Sequence, residues 1–366
     1  MLLAGGGTGG HVSPLLAVAE VLSERDPHVR FLFVGGRRGR EAEIALAAGI
    51  PFHATVMPSL RDPDSRLSLV ARAVLLPVAL IDALWRVGGF RPSVCLTTGG
   101  LVSIPVVLAA ALWRVPILIW TGDVIPGRAN RMLARTARRV ATTFEEARAY
   151  LPRDKVVLTG NPVRGSLLRW DRERGRAHFG LPPSGPVVLV TGGSQGSAAI
   201  NDAVLAALPA LLDRAHVMHH TGEAQLARAE ARRAALPAAS APRYRPFAYL
   251  RDDMGAAIAA ADVVIGRASS SSIAEPLALG VPLVLIPFRA AAEAHQEGNA
   301  RAIEETGAAA VIRESELSVE RLIAVVVGLL NDPLRLERMR SAAAKAGRPA
   351  AAADLAREVM LLGGCG

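Results

Sequence analysis

The sequence predicts an α/β protein built as two doubly wound parallel-sheet domains. Three observations predict it. Short continuous apolar runs alternate with Ala- and Leu-rich stretches of helical length along the whole chain, the pattern of parallel strands covered on both faces. One plan occurs twice: "MLLAGGGTGGHVSPLLAVAEVL" and "PVVLVTGGSQGSAAINDAVLAAL" both read as strand, Gly-rich turn, small polar residues and helix. The 366 residues also suit two domains at roughly 100–200 residues each.

In chain order, "MLLAG", "VRFLFVGG", "PSVCLTTGG", "PILIW", "RVATTF" and "KVVLTGNPV" read as the strands of the first half. "PVVLVTGGS", "HVMHHTG", "YRPFAYL", "ADVVIGR", "VPLVLIPF" and "AAAVIR" read as those of the second. Between the halves, "GNPVRGSLLRWDRERGRAHFGLPPSGP" carries the Pro, Gly and charge of a boundary, which places a hinge near residues 161–185. Residues 224–242 read as a surface helix and loop, and "AAAADLAREVMLLGG" as a final helix. The expected division is 1–163, 164–345 and a C-terminal helix in 346–366 that packs back toward the first domain.

Composition narrows the function. Forty-two basic residues face 33 acidic ones, a formal charge of +9. Nearly all the basic residues are Arg, with lysine only at Lys155 and Lys345. A basic surface attracts polyanions, but an aromatic share of 4% argues against a base-stacking nucleic-acid binder. Cys95, in an apolar run, reads as a buried thiol, and with Cys365 it makes no pattern. The N-terminus has no basic region ahead of an apolar core, so no signal peptide is read, and a reducing cytosol fits. Leu67–Val87 is the most apolar segment, but Arg72, Asp82 and the central Pro77 interrupt the run of about 20 apolar residues that a spanning helix needs. It reads as one or two helices flanked by Arg61, Arg66, Arg72, Arg86 and Arg91. Two uses fit it: an ordinary core-facing helix, or one lying on an anionic bilayer.

The chain opens on "LLAGGGTGGHVSP". Gly5, Gly7 and Gly10 satisfy G-x-G-x-x-G, and the helix start at Gly9–Gly10 suits an anion. A dinucleotide site also needs an acidic residue about 20 positions on. "FLFVGGRRGREAE" instead offers Arg37, Arg38 and Arg40 before Glu41, and Arg there could hold a 2′-phosphate, which leaves NADP open. His11 has no place in that logic. At a helix start beside a glycine nest it reads as a reacting or orienting group, with a structural His capping the helix as the alternative. Further on, four serines precede a helix in "VVIGRASSSSIAEPLALGVPLVLIP". Hydroxyls and helix N–H groups can hold a pyrophosphate without a metal. Glu275, about one turn on, suits a ribose diol. Ser272 and Glu275 equally fit the capping box S-x-x-E. No D-x-D stands at the end of a strand and no His/Cys cluster has ligand spacing, so neither a catalytic metal nor another cofactor is expected.

Seven blocks then occur in order: "GGGTGGHVSP…AVAE", "TTGGLVSIPVVLAA", "GNPVR", "GGSQGS…IN", "DDM", "AAADVVIGRASSSSIAE…LGVPLVLIPF" and "HQEGNA". Together they resemble the MurG family of peptidoglycan glycosyltransferases over essentially the whole chain. The resemblance implies the GT-B fold, two Rossmann-like domains facing a cleft, with the acceptor on the N-terminal domain and UDP-GlcNAc on the C-terminal one. It implies inverting transfer of GlcNAc to lipid I, giving lipid II, at the cytoplasmic face of a bacterial inner membrane. The implied partners are UDP-GlcNAc, lipid I and an anionic membrane surface, with no nucleic acid.

Residue by residue, the resemblance implies acceptor contacts at Gly9, Gly10, His11, Gly99 and Gly100. It implies donor contacts at Thr8, Gly9, Gly10, Asp123, Arg164, Ser194, Leu250, Arg251, Ser270, Ser271, Ser272, Glu275 and Gln296. At Leu250 and Arg251 the uracil edge would meet backbone. Gln296 would select the sugar's C4 configuration as both donor and acceptor. His11 and Asp123 are the candidates for activating the acceptor hydroxyl. One block departs: Trp120-Thr121-Gly122-Asp123 stands where many members have His-Glu-Gln-Asn. A different lipid or small-molecule acceptor, a UDP-GlcNAc 2-epimerase and a non-catalytic UDP-sugar binder remain as alternatives.

Overall fold

A computed structural model describes residues 1–6, 9–37, 41–57, 69–193, 196–289 and 295–364. The chain forms two compact units, Met1–Arg164 with Ala350–Gly366, and Gly165–Pro349.

The first unit runs β1 (Leu2–Gly5), α1 (Gly9–Arg25), β2 (Leu32–Gly35), α2 (Glu41–Ala47), β3 (Phe52–Ala54), α3 (Leu69–Phe90), β4 (Cys95–Gly99), α4 (Ile104–Leu112), β5 (Ile117–Thr121), α5 (Arg128–Leu133), β6 (Arg139–Thr142) and β7 (Val156–Leu158). Its seven strands lie in the order β3-β2-β1-β4-β5-β6-β7, and every pairing is parallel.

The alternation of side chains along each strand splits the core in two. Leu2, Ala4, Cys95, Ile117, Ile119 and Val140 share one face with Ala83 and Val87 of α3 and Val106, Val107 and Ala110 of α4. Leu3, Phe33, Leu96, Leu118 and Trp120 share the other with Val12, Leu15, Val18 and Leu22 of α1.

The sequence reading missed β3. "PFHAT" is a half-buried edge strand with a His in it, and lacks the apolar run of the central strands. What places it is contact: the Phe52 ring stacks on Phe33 at 5.8 Å. A Cβ on Gly35 would stand 2.7 Å from the Phe52 ring.

The second unit runs α6 (Gly165–Leu168), α7 (Arg172–His178), β8 (Val187–Thr191), α8 (Ala198–Leu212), β9 (His216–His220), α9 (Glu223–Ala234), β10 (Tyr244–Phe247), α10 (Met254–Ala260), β11 (Val263–Gly266), α11 (Ser270–Ala278), β12 (Leu283–Leu285), α12 (His295–Glu305), β13 (Ala309–Val311), α13 (Val319–Leu330) and α14 (Pro333–Ala346). Its strands lie β10-β9-β8-β11-β12-β13, again all parallel. Each sheet therefore reverses its winding once, between β1 and β4 in the first unit and between β8 and β11 in the second.

The last helix, α15 (Ala351–Gly363), belongs to the first unit. There Leu355, Ala356 and Val359 join the core cluster beneath α1.

At the amino end of the second sheet, Asp262 holds three guanidinium groups. Arg172 Nη1 donates at 2.5 Å, Arg176 Nη2 at 2.9 Å and Arg340 Nη2 at 3.1 Å, and Val187 N–H also donates at 2.8 Å. Arg176, itself buried, also donates to the carbonyls of Pro182, Pro183 and Gly185. The buried charge thereby fastens the segment that leads into β8.

Leu69–Phe90 is a single helix across Pro77 rather than two. Ala79, Ala83 and Val87 face the core, four residues apart, whereas Val78 is 52% exposed, Ile81 57% and Trp85 79%. Trp113 adds to this outer apolar face; its Nε1 donates to Leu84 O at 3.1 Å. Gly88 makes the room, since a Cβ there would stand 2.5 Å from the Trp113 ring. Among the described residues no helix is long and apolar enough to cross a membrane. Arg61, Arg66 and the side chain of Arg72 lie outside the described residues.

Candidate active site

In open parallel sheets, ligands bind beyond the carboxyl ends of the strands at the point where the winding reverses. In the first unit that point lies between β1 and β4, and the sequence-predicted residues gather around it. His11, the third residue of α1, follows β1. Gly99 and Gly100 end β4, and Asp123 follows β5 by two residues. Three neighbouring strand ends thus carry the candidate acceptor residues and Asp123, the candidate for catalysis and donor contact.

Their backbone is fixed by buried hydroxyls. Thr98 Oγ1 donates to His11 O at 2.9 Å, tying the start of α1 to β4. Thr97 Oγ1 accepts Gly99 N–H at 3.0 Å, and Ser103 Oγ donates to Gly100 O at 2.8 Å. Gly99 and Gly100 have φ of +84° and +88°, a conformation that favours glycine. Asn130 Nδ2 donates to Thr98 O at 3.2 Å, and its Oδ1 lies only 1.5 Å from where a Gly99 Cβ would be.

The departing block has a structural use. Trp120 Nε1 donates to Gly160 O at 2.9 Å, joining β5 to the stretch that ends the unit. Arg164 is that unit's last residue before α6 and is exposed. Gly9 and Gly10 open α1, but Thr8 lies outside the described residues, as does the side-chain environment of Gly9.

In the second unit the reversal lies between β8 and β11. After β8, Gly193 and Gly196 have φ of +86° and +75° and close a turn through Gly196 N–H to Gly193 O at 2.9 Å. A Cβ on Gly196 would stand 2.0 Å from Thr221 O. Ser197 caps α8 by accepting Ile200 N–H. Ser194 lies outside the described residues.

After β11, Ser269 is the N-cap of α11. Its Oγ accepts Ser272 N–H at 3.4 Å and lies 2.7 Å from Ser272 Oγ. This corrects the capping-box alternative: Ser272 is the third residue of the helix, not its cap, and Glu275 lies a turn further on. Ile273, Pro276 and Leu277 form the buried face of α11, while Ser270, Ser271, Ser272 and Glu275 are all half-buried. The N–H groups of Ser270 and Ser271 have no intrahelical acceptor and suit an anion.

Gln296 narrows its expected role. Its Oε1 accepts Ala268 N–H at 3.2 Å and Phe288 N–H at 2.9 Å. Two N–H partners fix the amide orientation, so Oε1 serves the loops and Nε2 is left to donate. Asn299 Nδ2 donates to Ala268 O at 3.1 Å, so the start of α12 grips both sides of the residue ahead of the serines. Leu250 is buried, and its carbonyl accepts Asp253 N–H at 2.6 Å. Arg251 opens the short turn after it, and its side chain lies outside the described residues.

Sequence reasoning missed the residue that joins these loops. Arg267 is 8% exposed. It donates to Ser197 Oγ at 2.7 Å, to Glu314 Oε1 at 2.6 Å and to Ile286 O at 3.2 Å, and its guanidinium lies 5.0 Å from the Phe288 ring centre. Glu314 also accepts Arg289 N–H at 2.9 Å. Burial pushes the Glu314 carboxyl up, but the bonds from Arg289 N–H and Arg267 outweigh it, and the pKa lies below the ordinary value. The available signal was a charge at the end of an apolar strand, "VVIGR".

A second missed network lies under β9. His219 Nε2 meets Asn201 Oδ1 at 3.0 Å and Nδ1 meets Tyr244 Oη at 3.0 Å. Asn201 Nδ2 donates to Thr221 O, so Oδ1 is an acceptor and His219 carries its proton on Nε2. Burial, with His220 nearby, pushes His219 down to about 3. Among the described residues no three His, Cys, Asp or Glu side chains gather as they would around a metal ion.

Two Rossmann-like parallel-sheet units, with Gly- and Ser-rich turns at their reversal points, are the architecture of a nucleotide-sugar glycosyltransferase of the GT-B class. The glycosyltransferase family 28 N-terminal domain matches residues 1–142 and the family 28 C-terminal domain residues 187–355, and the chain belongs to the MurG family within that group. It is 40% identical over 357 residues to the UDP-N-acetylglucosamine--N-acetylmuramyl-(pentapeptide) pyrophosphoryl-undecaprenol N-acetylglucosamine transferase of Desulforudis audaxviator, covering 96% of this chain and 95% of the relative. To the protein of that name from Listeria monocytogenes serovar 1/2a it is 37% identical over 365 residues, covering 98% of each. Among solved structures, Acinetobacter baumannii MurG superposes with a TM-score of 0.78 at 24% identity, over 98% of this chain and 99% of that one.

Proposed function

We infer that this protein transfers N-acetylglucosamine from UDP-GlcNAc to the lipid-linked muramyl-pentapeptide, forming lipid II. The observation that carries this is near full-length identity to curated transferases named for that reaction. The first unit takes the acceptor around His11, Gly99, Gly100 and Asp123. The second takes UDP-GlcNAc around Arg267–Ser272, Glu275 and Gln296.

The transfer is a single displacement. The acceptor's sugar hydroxyl attacks the anomeric carbon of the α-linked donor. A new C–O bond forms with inversion, the anomeric C–O bond to phosphate breaks, and UDP leaves with the electron pair. The hydroxyl proton passes to His11 or Asp123 as general base. Ser270–Ser272 and the N-terminus of α11 stabilise the leaving diphosphate, in the role that fixed dipoles play for developing charge. Glu275 accepts from the ribose diol, and Gln296 Nε2 donates to a sugar hydroxyl.

The acceptor is a lipid, so the enzyme works at a membrane, and we place it peripherally at the cytoplasmic face. The outer face of α3, with Val78, Ile81 and Trp85 exposed beside Trp113 and Arg86, is the surface suited to an anionic bilayer.

The test is UDP release from UDP-GlcNAc with and without a short-chain lipid I analogue, in EDTA. The expected result is release that requires the analogue and survives chelation. UDP-GlcNAc binding without analogue-dependent release would overturn the acceptor assignment, and release abolished by EDTA would overturn metal independence.

A further inference from the structure

Behind the turn that follows β8 lies a polar chain that none of the roles above uses. Thr191 ends β8, and His220, its partner in register, ends β9. Gly193 N–H donates to Thr191 Oγ1 at 3.3 Å, and Thr191 Oγ1 lies 3.2 Å from His220 Nδ1. The threonine oxygen keeps its own hydrogen while accepting from Gly193 and can donate it to Nδ1. In that tautomer His220 accepts at Nδ1 and carries its proton on Nε2.

That nitrogen is buried and has no hydrogen-bond partner. The imidazole is 4% exposed and lies 5.9 Å, centre to centre, from the Tyr249 ring. Burial lowers its pKa, which keeps the ring neutral and the acceptor at Nδ1 in place. The hydrogen bonds thus run from the turn at Gly193 through Thr191 to His220, and the His220 ring then packs on Tyr249 in the segment 248–250. These are two separate loops of the donor half, one leading to Ser194 and the other carrying the uracil-edge residues Leu250 and Arg251.

We propose that His220 is a positioning residue for the nucleotide, coupling the Gly193 turn to the Ala248–Leu250 segment through Thr191 so that both loops are set together for UDP. The proposal rests on the donor-site reading of the second unit. It gives His220 no contact with the reacting atoms. Removing the chain therefore weakens nucleotide binding and leaves the chemical step alone.

The test compares His220→Leu, which fills the space without polar atoms, with His220→Gln, whose amide can accept from Thr191. UDP affinity is read by calorimetry on the full chain, KM for UDP-GlcNAc and kcat by UDP release, and folding by thermal midpoint. The expected result is UDP binding weakened about three- to tenfold in His220→Leu, the size of one lost hydrogen bond. KM should rise in step with kcat unchanged, and His220→Gln should stay within about twofold of the parent. Parental affinity in His220→Leu, or equal weakening in both variants, would overturn the proposal. Should His220→Leu not fold, Thr191→Val cuts the same chain, and parental UDP affinity in that variant would overturn it equally. Failure of the parent protein to bind UDP at all would instead overturn the donor-site reading.

Discussion

Replacing Arg267 by Met should destabilise the second unit by about 3 kcal/mol, and the size follows from its partners. Met keeps most of the aliphatic volume and removes the charge. Arg267 donates to Glu314, Ser197 and Ile286 at 2.6, 2.7 and 3.2 Å from a nearly buried position. Breaking a buried ion pair from one side costs about 3–5 kcal/mol. The lower end applies here because Glu314 keeps the N–H of Arg289 and is partly open to water, its side chain 18% exposed. In a unit of this size about 3 kcal/mol corresponds to a fall of roughly 6–12 °C in the thermal midpoint. Acid gives a second signature. The Glu314 carboxyl is depressed in the folded state, so its contribution is present above the unfolded pKa and is lost as pH falls through the folded one. Scanning calorimetry of parent and variant should therefore show a large gap at pH 7 that narrows below about pH 4.3, the ordinary Glu value. A gap under about 2 °C at pH 7, or one that stays constant into acid, would refute the reasoning.

Three other outcomes are expected. Gly99→Ala places a methyl group on a residue with φ of +84° and against Asn130 Oδ1, which should cost about 1–3 kcal/mol; urea denaturation checks it, and an unchanged midpoint would count against the geometry. Trp85, at 79% exposure, should contribute about 2 kcal/mol if half of it enters a bilayer, so Trp85→Ala should bind anionic vesicles about thirtyfold less well in a sedimentation assay, and equal binding would remove α3 from the membrane surface. His11→Ala or Asp123→Ala should lower kcat by about 10²- to 10⁴-fold with donor KM little changed, and near-normal kcat in both would end their candidacy as the base.

Much of the fold was legible because the two sheets are wholly parallel. Strands buried on both faces read as apolar runs, as "VVLV" and "ILIW" do ahead of a terminal Thr, and helices must alternate with them. The edge strand β3 escaped because it is half-buried and held by one aromatic stack, a contact between residues 19 apart that no local pattern records. The serine run and the glycine turns were legible because their composition is their chemistry. The cap of α11 was not: S-x-x-E can be read from Ser272, yet Ser269 holds the position, and four consecutive serines give no local reason to choose among them.

The residues that escaped altogether have a common cause. Arg267, His219, His220, Asn201, Thr98 and Asn130 are polar side chains inside or at the ends of buried elements, where patterning calls for apolar ones. Each is spent on backbone or on another fixed side chain. Thr98 reaches His11 O, Asn201 reaches Thr221 O, Gln296 and Asn299 grip Ala268, and Arg267 spans Ser197 and Ile286. The groups meant for a ligand sit on glycine turns and a short helix start, which have few apolar contacts to hold them. A loop that must present bare N–H groups cannot also bury side chains of its own, so its rigidity has to come from polar anchors beneath it. The anchors hold these loops at a cost wherever a partner is missing, as at His220 Nε2 and Asn130 Oδ1, since an unpaired buried polar atom costs more than the bond it replaces. Loss of one anchor should therefore loosen ligand binding and folding together, whereas loss of a presenting serine should affect binding alone.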